Sequence, residues 1–303
     1  MTGRASVTPG ASLTEVSGSF GLLAVLAVIL AGLLHATWNA MAKAAPDRHA
    51  TFALFGLAYL VCGAVALAWT PAPASAAWPW LATSAVGHTV YSWLLIRCYR
   101  LGDFNQVYPL ARGSAPLFVA LVATTALGER LSLGQLIGVA IVCGGLGVLA
   151  LAGGRTGGPA YAPRSPALLA ALLTGVSIAA YTVLDGVGVR LSGSPTGYAA
   201  WLFLSMGPLV VGWTWAARGR TLLDPMREQW RAGLVGGVLG VAGYAVVLWA
   251  QTIGALAVVA ALRETGVVAG AIIGALVFRE RMGGPRIAAA AAVALGVALI
   301  NVR

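Results

Sequence analysis

Val107-Tyr108-Pro109-Leu110-Ala111-Arg112-Gly113-Ser114-Ala115-Pro116 decides the fold, together with a counterpart 151 positions on, Ala260-Ala261-Leu262-Arg263-Glu264-Thr265-Gly266-Val267. Each stretch sets one arginine inside an apolar run long enough to cross a bilayer. An arginine at the centre of a spanning helix costs about 2.5–3.5 kcal/mol on insertion scales. Two of them at matched places predict a polar site shared by two related halves.

The rest of the chain is built for lipid. Hydrophobic residues make up 59% of the 303 and charged residues 9%, against about 25% charged in a soluble domain. Apolar runs of about 20 residues predict ten spans, at 20–43, 50–70, 78–101, 105–126, 131–152, 167–190, 197–217, 229–253, 256–278 and 283–301. The fold class is therefore an all-α integral membrane protein, because backbone in hydrocarbon must satisfy its own hydrogen bonds. The alternating pattern of a membrane β-barrel is absent. The net charge of +10 does not predict a nucleic-acid partner, since the basic residues lie between spans and form no basic face. Residues 1–18 read as a disordered N-terminal tail without the features of a signal peptide. Residues 153–166, rich in Gly and Pro, read as a linker. Cys62, Cys98 and Cys143 are odd in number and form no CxxC, which predicts small buried hydrophobes.

The halves, 19–152 and 167–303, repeat one another. Arg112 matches Arg263, Glu129 matches Glu280, Arg130 matches Arg281 and Gly145 matches Gly296, all at an offset of 151. Gly32 matches Gly175 and Trp38 matches Tyr181 at an offset of 143. Five spans per half is odd, so two consecutive units must lie in opposite orientations. Basic residues collect after spans one, three, five, seven and nine, with Lys43, Arg97, Arg155, Arg218 and Arg279 among them. The other side carries only Arg4, Arg130, Arg190 and Arg303. The positive-inside rule places the larger set in the cytoplasm and both termini outside. An inverted repeat with polar residues in an interrupted helix of each half is the organisation of a secondary transporter.

Candidate solute-binding residues follow from polarity inside spans. His35, Trp38 and Asn39 share one helical face; Trp38 reads equally as an interface anchor, and Asn39 as a hydrogen bond to a neighbouring helix. Span two carries no charge and faces lipid or packs. His88 and Tyr91, three apart, can line a cavity together, although a lone intramembrane histidine is as often a hydrogen bond between helices. In the opening stretch, Tyr108 precedes Pro109, and Arg112 lies between Pro109 and Pro116, prolines that remove backbone donors and kink a helix. Freed carbonyls beside Gly113 and Ser114 would let a solute meet backbone there. Tyr181 and Asp185, four apart, share a face, although Asp185 can instead pair with Arg190 at the helix end. Glu264 can serve the solute or keep Arg263 company in the membrane. Arg112 has no acid beside it in sequence. Tyr244, with Trp249 and Gln251, offers an aromatic wall.

These residues resemble a known family. The five-plus-five repeat, His35-Ala36-Thr37-Trp38-Asn39, Gly102-Asp103-Phe104 leading into Tyr108-Pro109-Leu110-Ala111-Arg112-Gly113, Gly128-Glu129-Arg130, and Ala261-Leu262-Arg263-Glu264-Thr265 are similar to the EamA-type transporters of the drug/metabolite transporter superfamily. The resemblance covers about residues 20–302. It implies ten helices around a central cavity and movement of small metabolites such as amino acids and their relatives, often outward. It also implies termini in the cytoplasm, against the charge count.

The expected function is a secondary active exporter in the cell inner membrane, moving a small polar, amino-acid-like or anionic solute by alternating access. Guanidinium suits carboxylate or phosphate through paired donors. Export of a cationic drug around an embedded glutamate is the alternative. A membrane-embedded enzyme is disfavoured, because neither clustered aspartates nor HExxH occurs. No P-loop is present, so a gradient must supply the energy through a coupling proton or counter-solute. No cofactor or metal is expected, and a homodimer is compatible with this reading.

Overall fold

Wherever the structure describes them, the apolar runs are helices. The computed structural model describes residues 21–102, 104–152, 165–267 and 284–301. In chain order the helices are α1 (Leu22–Ala44), α2 (Arg48–Ala66), α3 (Trp78–Leu101), α4 (Phe104–Thr125), α5 (Leu133–Ala152), α6 (Ser165–Leu191), α7 (Pro195–Arg218), α8 (Leu223–Ile253), α9 (Leu256–Arg263) and α10 (Gly284–Asn301). No strand occurs among the described residues. The helix starts are written locally. Asp47 accepts from the Ala50 amide at 3.0 Å to cap α2, and Ser194 accepts from Gly197 at 3.0 Å to cap α7. Ahead of α5, Ser132 and Gln135 cap one another reciprocally, at 3.2 and 2.9 Å. Each satisfies amide donors that a helix start leaves open.

Five helical stretches are long and apolar enough to cross a membrane: Leu22–Ala44, Arg48–Ala66, Val107–Thr125, Pro166–Leu191 and Pro195–Ile253, the last holding α7 and α8 joined by a short 3-10 turn. Leu133–Val148 and Ile287–Ile300 are shorter apolar helices. The chain is thus a multi-pass membrane protein. The expected span 256–278 lies partly outside the described residues, as do Asp103, Glu280, Arg281 and the linker arginines.

The two halves interlock by exchange. α1 packs on α8 and α6 packs on α3; α2 packs on α7, and α5 on α10. Exchanging the halves maps each of these contacts onto one of the others or onto itself. Glycines set the closest approaches. A Cβ on Gly32 of α1 would lie 2.8 Å from the Arg263 carbonyl, and one on Gly175 of α6 would lie 2.8 Å from the Ala111 carbonyl. Each half therefore seats a glycine against the arginine-bearing stretch of the other. α2 and α7 cross through Gly56 and Gly207, where an added Cβ would meet the opposite glycine's carbonyl at 3.0 and 2.7 Å. Small residues let helix backbones approach where dispersion and polar contacts must hold a membrane bundle together.

One expectation moves. α4 stays helical through both Pro109 and Pro116; Arg112 and Gly113 are buried and Ser114 half-buried against other helices, Gly113 facing Leu146 and Ser114 facing Gly175. The interruption lies in the second half. α9 ends at Arg263, where the Glu264 amide turns back to Ala261, and Val267 bonds the Glu264 carbonyl at 2.9 Å.

Candidate functional site

A cavity between the halves holds about 450 Å³ of atom-free space, its open mouth included. The first half lines it with His35, Trp38, Phe52, Tyr59, His88, Tyr91 and Ser92, the second with Tyr181, Phe203, Met206, Gly240 and Tyr244. Aromatic rings with polar tips dominate this wall. Such walls bind by apolar area and orient by a few polar atoms. Trp38 is 5% exposed and packs edge-on against Phe52 and Phe55, so it is a core residue and not an interface anchor.

Behind the wall lies an ion pair that the order of residues in the chain does not announce. Arg112 donates from Nε to Glu264 Oε2 at 2.8 Å, and its Nη1 meets His35 Nε2 at 2.8 Å. Arg112, Arg263 and Glu264 are each 2% exposed or less. The guanidinium and, at 3.1 Å from His35 Nδ1, the Trp38 indole N–H can only donate, so a neutral His35 accepts from one of them at a time. Trp38 also packs edge-to-face on the imidazole, with ring centroids 5.0 Å apart. Arg263, next to Glu264 in sequence, reaches it only at 3.7 Å. None of its three guanidinium nitrogens has a hydrogen-bond partner among the described residues, and Glu264 Oε1 has none either. Buried polar groups without partners are few in native proteins, and each asks for an explanation.

A second polar centre forms around Asp185 on α6, which is fully buried. His88 Nε2 meets Oδ2 at 2.9 Å, Tyr244 donates to the same oxygen at 2.5 Å, and Tyr198 donates to Oδ1 at 3.0 Å. His88 stacks on Tyr181 with ring centroids 3.9 Å apart, which fixes the imidazole from its face. The carboxylate is thus held by donors from α3, α7 and α8 and, among the described residues, meets no arginine. The alternative Asp185–Arg190 pair does not form, because Arg190 is taken elsewhere. Its Nη1 bonds Glu129 at 2.8 Å, and its Nε and Nη2 bond the Gln251 and Gly254 carbonyls, both at 2.8 Å. Glu129 also accepts from the Leu256 amide at 3.0 Å. One buried pair therefore satisfies the open carbonyls ending α8 and the open amide starting α9. Arg190 is structural, and does not belong among the exposed loop charges. At the start of α2, the capping Asp47 meets Arg218 at 3.1 Å, and Thr51 donates to Gln229 at 3.0 Å.

Of the predicted residues, His35, Trp38, His88, Tyr91, Tyr181 and Tyr244 meet at the cavity. Arg112, Arg263, Glu264 and Asp185 stand behind its wall. Asn39 is turned toward its neighbours: it donates to the His35 carbonyl at 2.8 Å and accepts from Tyr99 at 3.3 Å. Tyr108 is buried with Val142, Leu146 and Val267, outside the lining. Trp249 is 37% exposed and Gln251 is buried against Thr182 at 3.3 Å, so neither extends the wall that Tyr244 joins. Phe52, Tyr59, Phe203 and Tyr198 were not anticipated. Span two carries no charge, yet Phe52 and Tyr59 face the cavity. Their signal was the seven-residue spacing of Phe52 and Tyr59, which puts both on one helical face.

The model of the EamA-like transporter family matches residues 22–151 and again 165–302. No curated protein matches the chain. A solved crystal structure, described only as that of a protein, matches with a TM-score of 0.67 at 21% sequence identity. The match covers 91% of this chain and 94% of the other, and shows a shared fold. With the family signature found twice, over nearly all of a helical chain whose halves interlock by exchange, this membrane protein belongs to the EamA-like transporter family.

Proposed function

We propose that the chain is a secondary active exporter of the cell inner membrane, with ten helices in two inverted five-helix repeats. It moves a small polar solute, amino-acid-like or anionic, by alternating access. The observation that carries this reading is the cavity between the halves, backed by two buried arginines that share one carboxylate. Glu264 hydrogen-bonds one of the two cations and Asp185, the other carboxylate behind the wall, bonds neither, so among the described residues Arg263 lacks an anionic partner at hydrogen-bond distance, which the carboxylate or phosphate of a solute would supply. In low-dielectric surroundings that complement is worth far more than in water. The aromatic wall then holds the solute's apolar part, while rocking of one half against the other exposes it to either side.

One observation favours the cationic alternative. Asp185 is a buried carboxylate without an arginine, and two of its donors, His88 and Tyr244, line the cavity. Counterflow in liposomes holding the purified protein separates the two. Labelled neutral and acidic amino acids, organic phosphates and organic cations are offered in turn. Exchange of acidic or zwitterionic solutes supports the anion reading. Exchange of cations alone transfers the site to Asp185, and no exchange of any solute removes the transport reading.

A further inference from the structure

The two arginines are equivalent by repeat and unequal in surroundings. Arg112 is held by Glu264 and His35. Applying the repeat offsets, the positions that correspond to those partners in the other half are Gly113 and Ile178. Neither side chain can accept a hydrogen bond. Arg263 thus occupies the same place in the fold with both partners deleted, which is why its Nε, Nη1 and Nη2 have no acceptor among the described residues. Beside it, Glu264 Oε1 is an acceptor without a donor, 3.7 Å from Arg263 Nε. The cavity-lining Tyr91 hydroxyl is also without a partner. Tyr91, Tyr181 and Tyr244, all on the cavity wall, lie within electrostatic reach of Arg263.

Resting on the transport reading above, we propose that Arg263 is the anion receptor and Arg112 the fixture that positions Glu264 beside it. The unmet groups are a forked donor and, next to it, a lone carboxylate oxygen. Their complement is a carboxylate carrying a donor on the adjacent carbon, the head group of an α-ammonium or α-hydroxy acid. The carboxylate takes the guanidinium fork, the ammonium or hydroxyl donates to Glu264 Oε1, and the remainder lies among the rings of the wall. A phosphate or a plain carboxylate would satisfy the fork and leave Oε1 unmet. Arg263 is 1% exposed and stands outside the lining, so the wall between His35, Tyr91 and Tyr181 parts as the head group enters. Binding and helix movement are then one event.

Two measurements on the purified full chain test this. The first needs no solute: thermal unfolding in detergent of Arg112→Met and Arg263→Met. Losing Arg112 leaves the buried Glu264 carboxylate without its hydrogen bond, and its midpoint falls. Losing Arg263 removes a buried cation without a hydrogen bond, and its midpoint holds or rises. Equal falls for both variants would make Arg263 a second fixture and overturn the assignment. The second loads proteoliposomes with a ¹³C-labelled metabolite extract and identifies by mass spectrometry what leaves. Wild type releases α-ammonium or α-hydroxy acids, Arg263→Met slows that release about tenfold or more, as loss of a charged hydrogen bond implies, and Arg263→Lys is intermediate. Release only of solutes lacking that head group, or unchanged release by Arg263→Met, sinks the assignment and leaves transport standing. Wild type releasing nothing above empty liposomes sinks the transport reading itself.

Discussion

Glu264 bonds Arg112, 152 residues away in the chain, at 2.8 Å, while its immediate neighbour Arg263 stays at 3.7 Å. A residue at a helix end projects its side chain in a direction set by the backbone there. The break after Arg263 turns Glu264 toward α4 and away from the arginine beside it.

Removing either member of that pair leaves a buried charge without its partner, which costs about 3–5 kcal/mol. Arg112→Met and Glu264→Gln are both expected to lower the unfolding midpoint clearly. The double variant should lose less than the sum, since residues in one buried network are not additive. A double-mutant cycle of thermal or denaturant unfolding reads the difference, and strict additivity would show that the pair carries no coupling.

The Glu129–Arg190 clasp should outweigh the Asp47–Arg218 pair. Glu129 and Arg190 side chains are 5% and 8% exposed, whereas that of Arg218 is 40% exposed. Glu129→Ala strands Arg190 and the Leu256 amide, for an expected loss of about 3–5 kcal/mol. Arg218→Ala loses a screened pair, for about 0–1 kcal/mol. Unfolding curves of the two variants should differ by several degrees, and matching curves would mean that the clasp does not hold the α8–α9 turn.

At the α2–α7 crossing, Gly207→Leu drives carbon into the Gly56 carbonyl and the Leu60 backbone, closer than 3 Å at the first added atom. Overpacking of this kind costs about 1–3 kcal/mol. Gly212 lies five residues on in the same helix with nothing within 4 Å of an added Cβ, so Gly212→Leu is the control and should leave stability unchanged. Yield of monodisperse protein and the unfolding midpoint measure both.

Asp185 accepts from three side chains, and an asparagine amide cannot, because half of its head donates. Asp185→Asn is expected to disturb His88 and Tyr244 on the cavity wall and to depress solute exchange strongly. Tyr198→Phe deletes one donor away from the lining and should cost only about 0.5–1.5 kcal/mol, with exchange largely kept. Counterflow rates set beside unfolding midpoints separate the two effects, and normal exchange by Asp185→Asn would remove the cluster from the transport site.

Much of this molecule was legible in the residues. Composition and the length of the apolar runs determined a helical membrane protein, because hydrocarbon admits few other backbones. The matched arginines and glycines determined that two halves share one design. Polar residues recurring at helical spacing, His35 with Trp38 and His88 with Tyr91, determined much of the cavity wall, since spacing fixes which side chains share a face. What the chain could not state was pairing between helices. Adjacency suggested Arg263 with Glu264, which approach only to 3.7 Å, and Asp185 with Arg190, which do not pair; the hydrogen bonds run from Arg112 to Glu264 and from Arg190 to Glu129. Phe52 and Tyr59, on an uncharged helix, became lining only because α2 turns that face toward the other half. Contacts between distant segments depend on how helices cross, and the crossings at Gly32, Gly175, Gly56 and Gly207 are settled by packing of all the helices together. Sequence fixes each helix and its faces; tertiary structure alone decides which face meets which, and so which arginine is left without a hydrogen bond among the described residues.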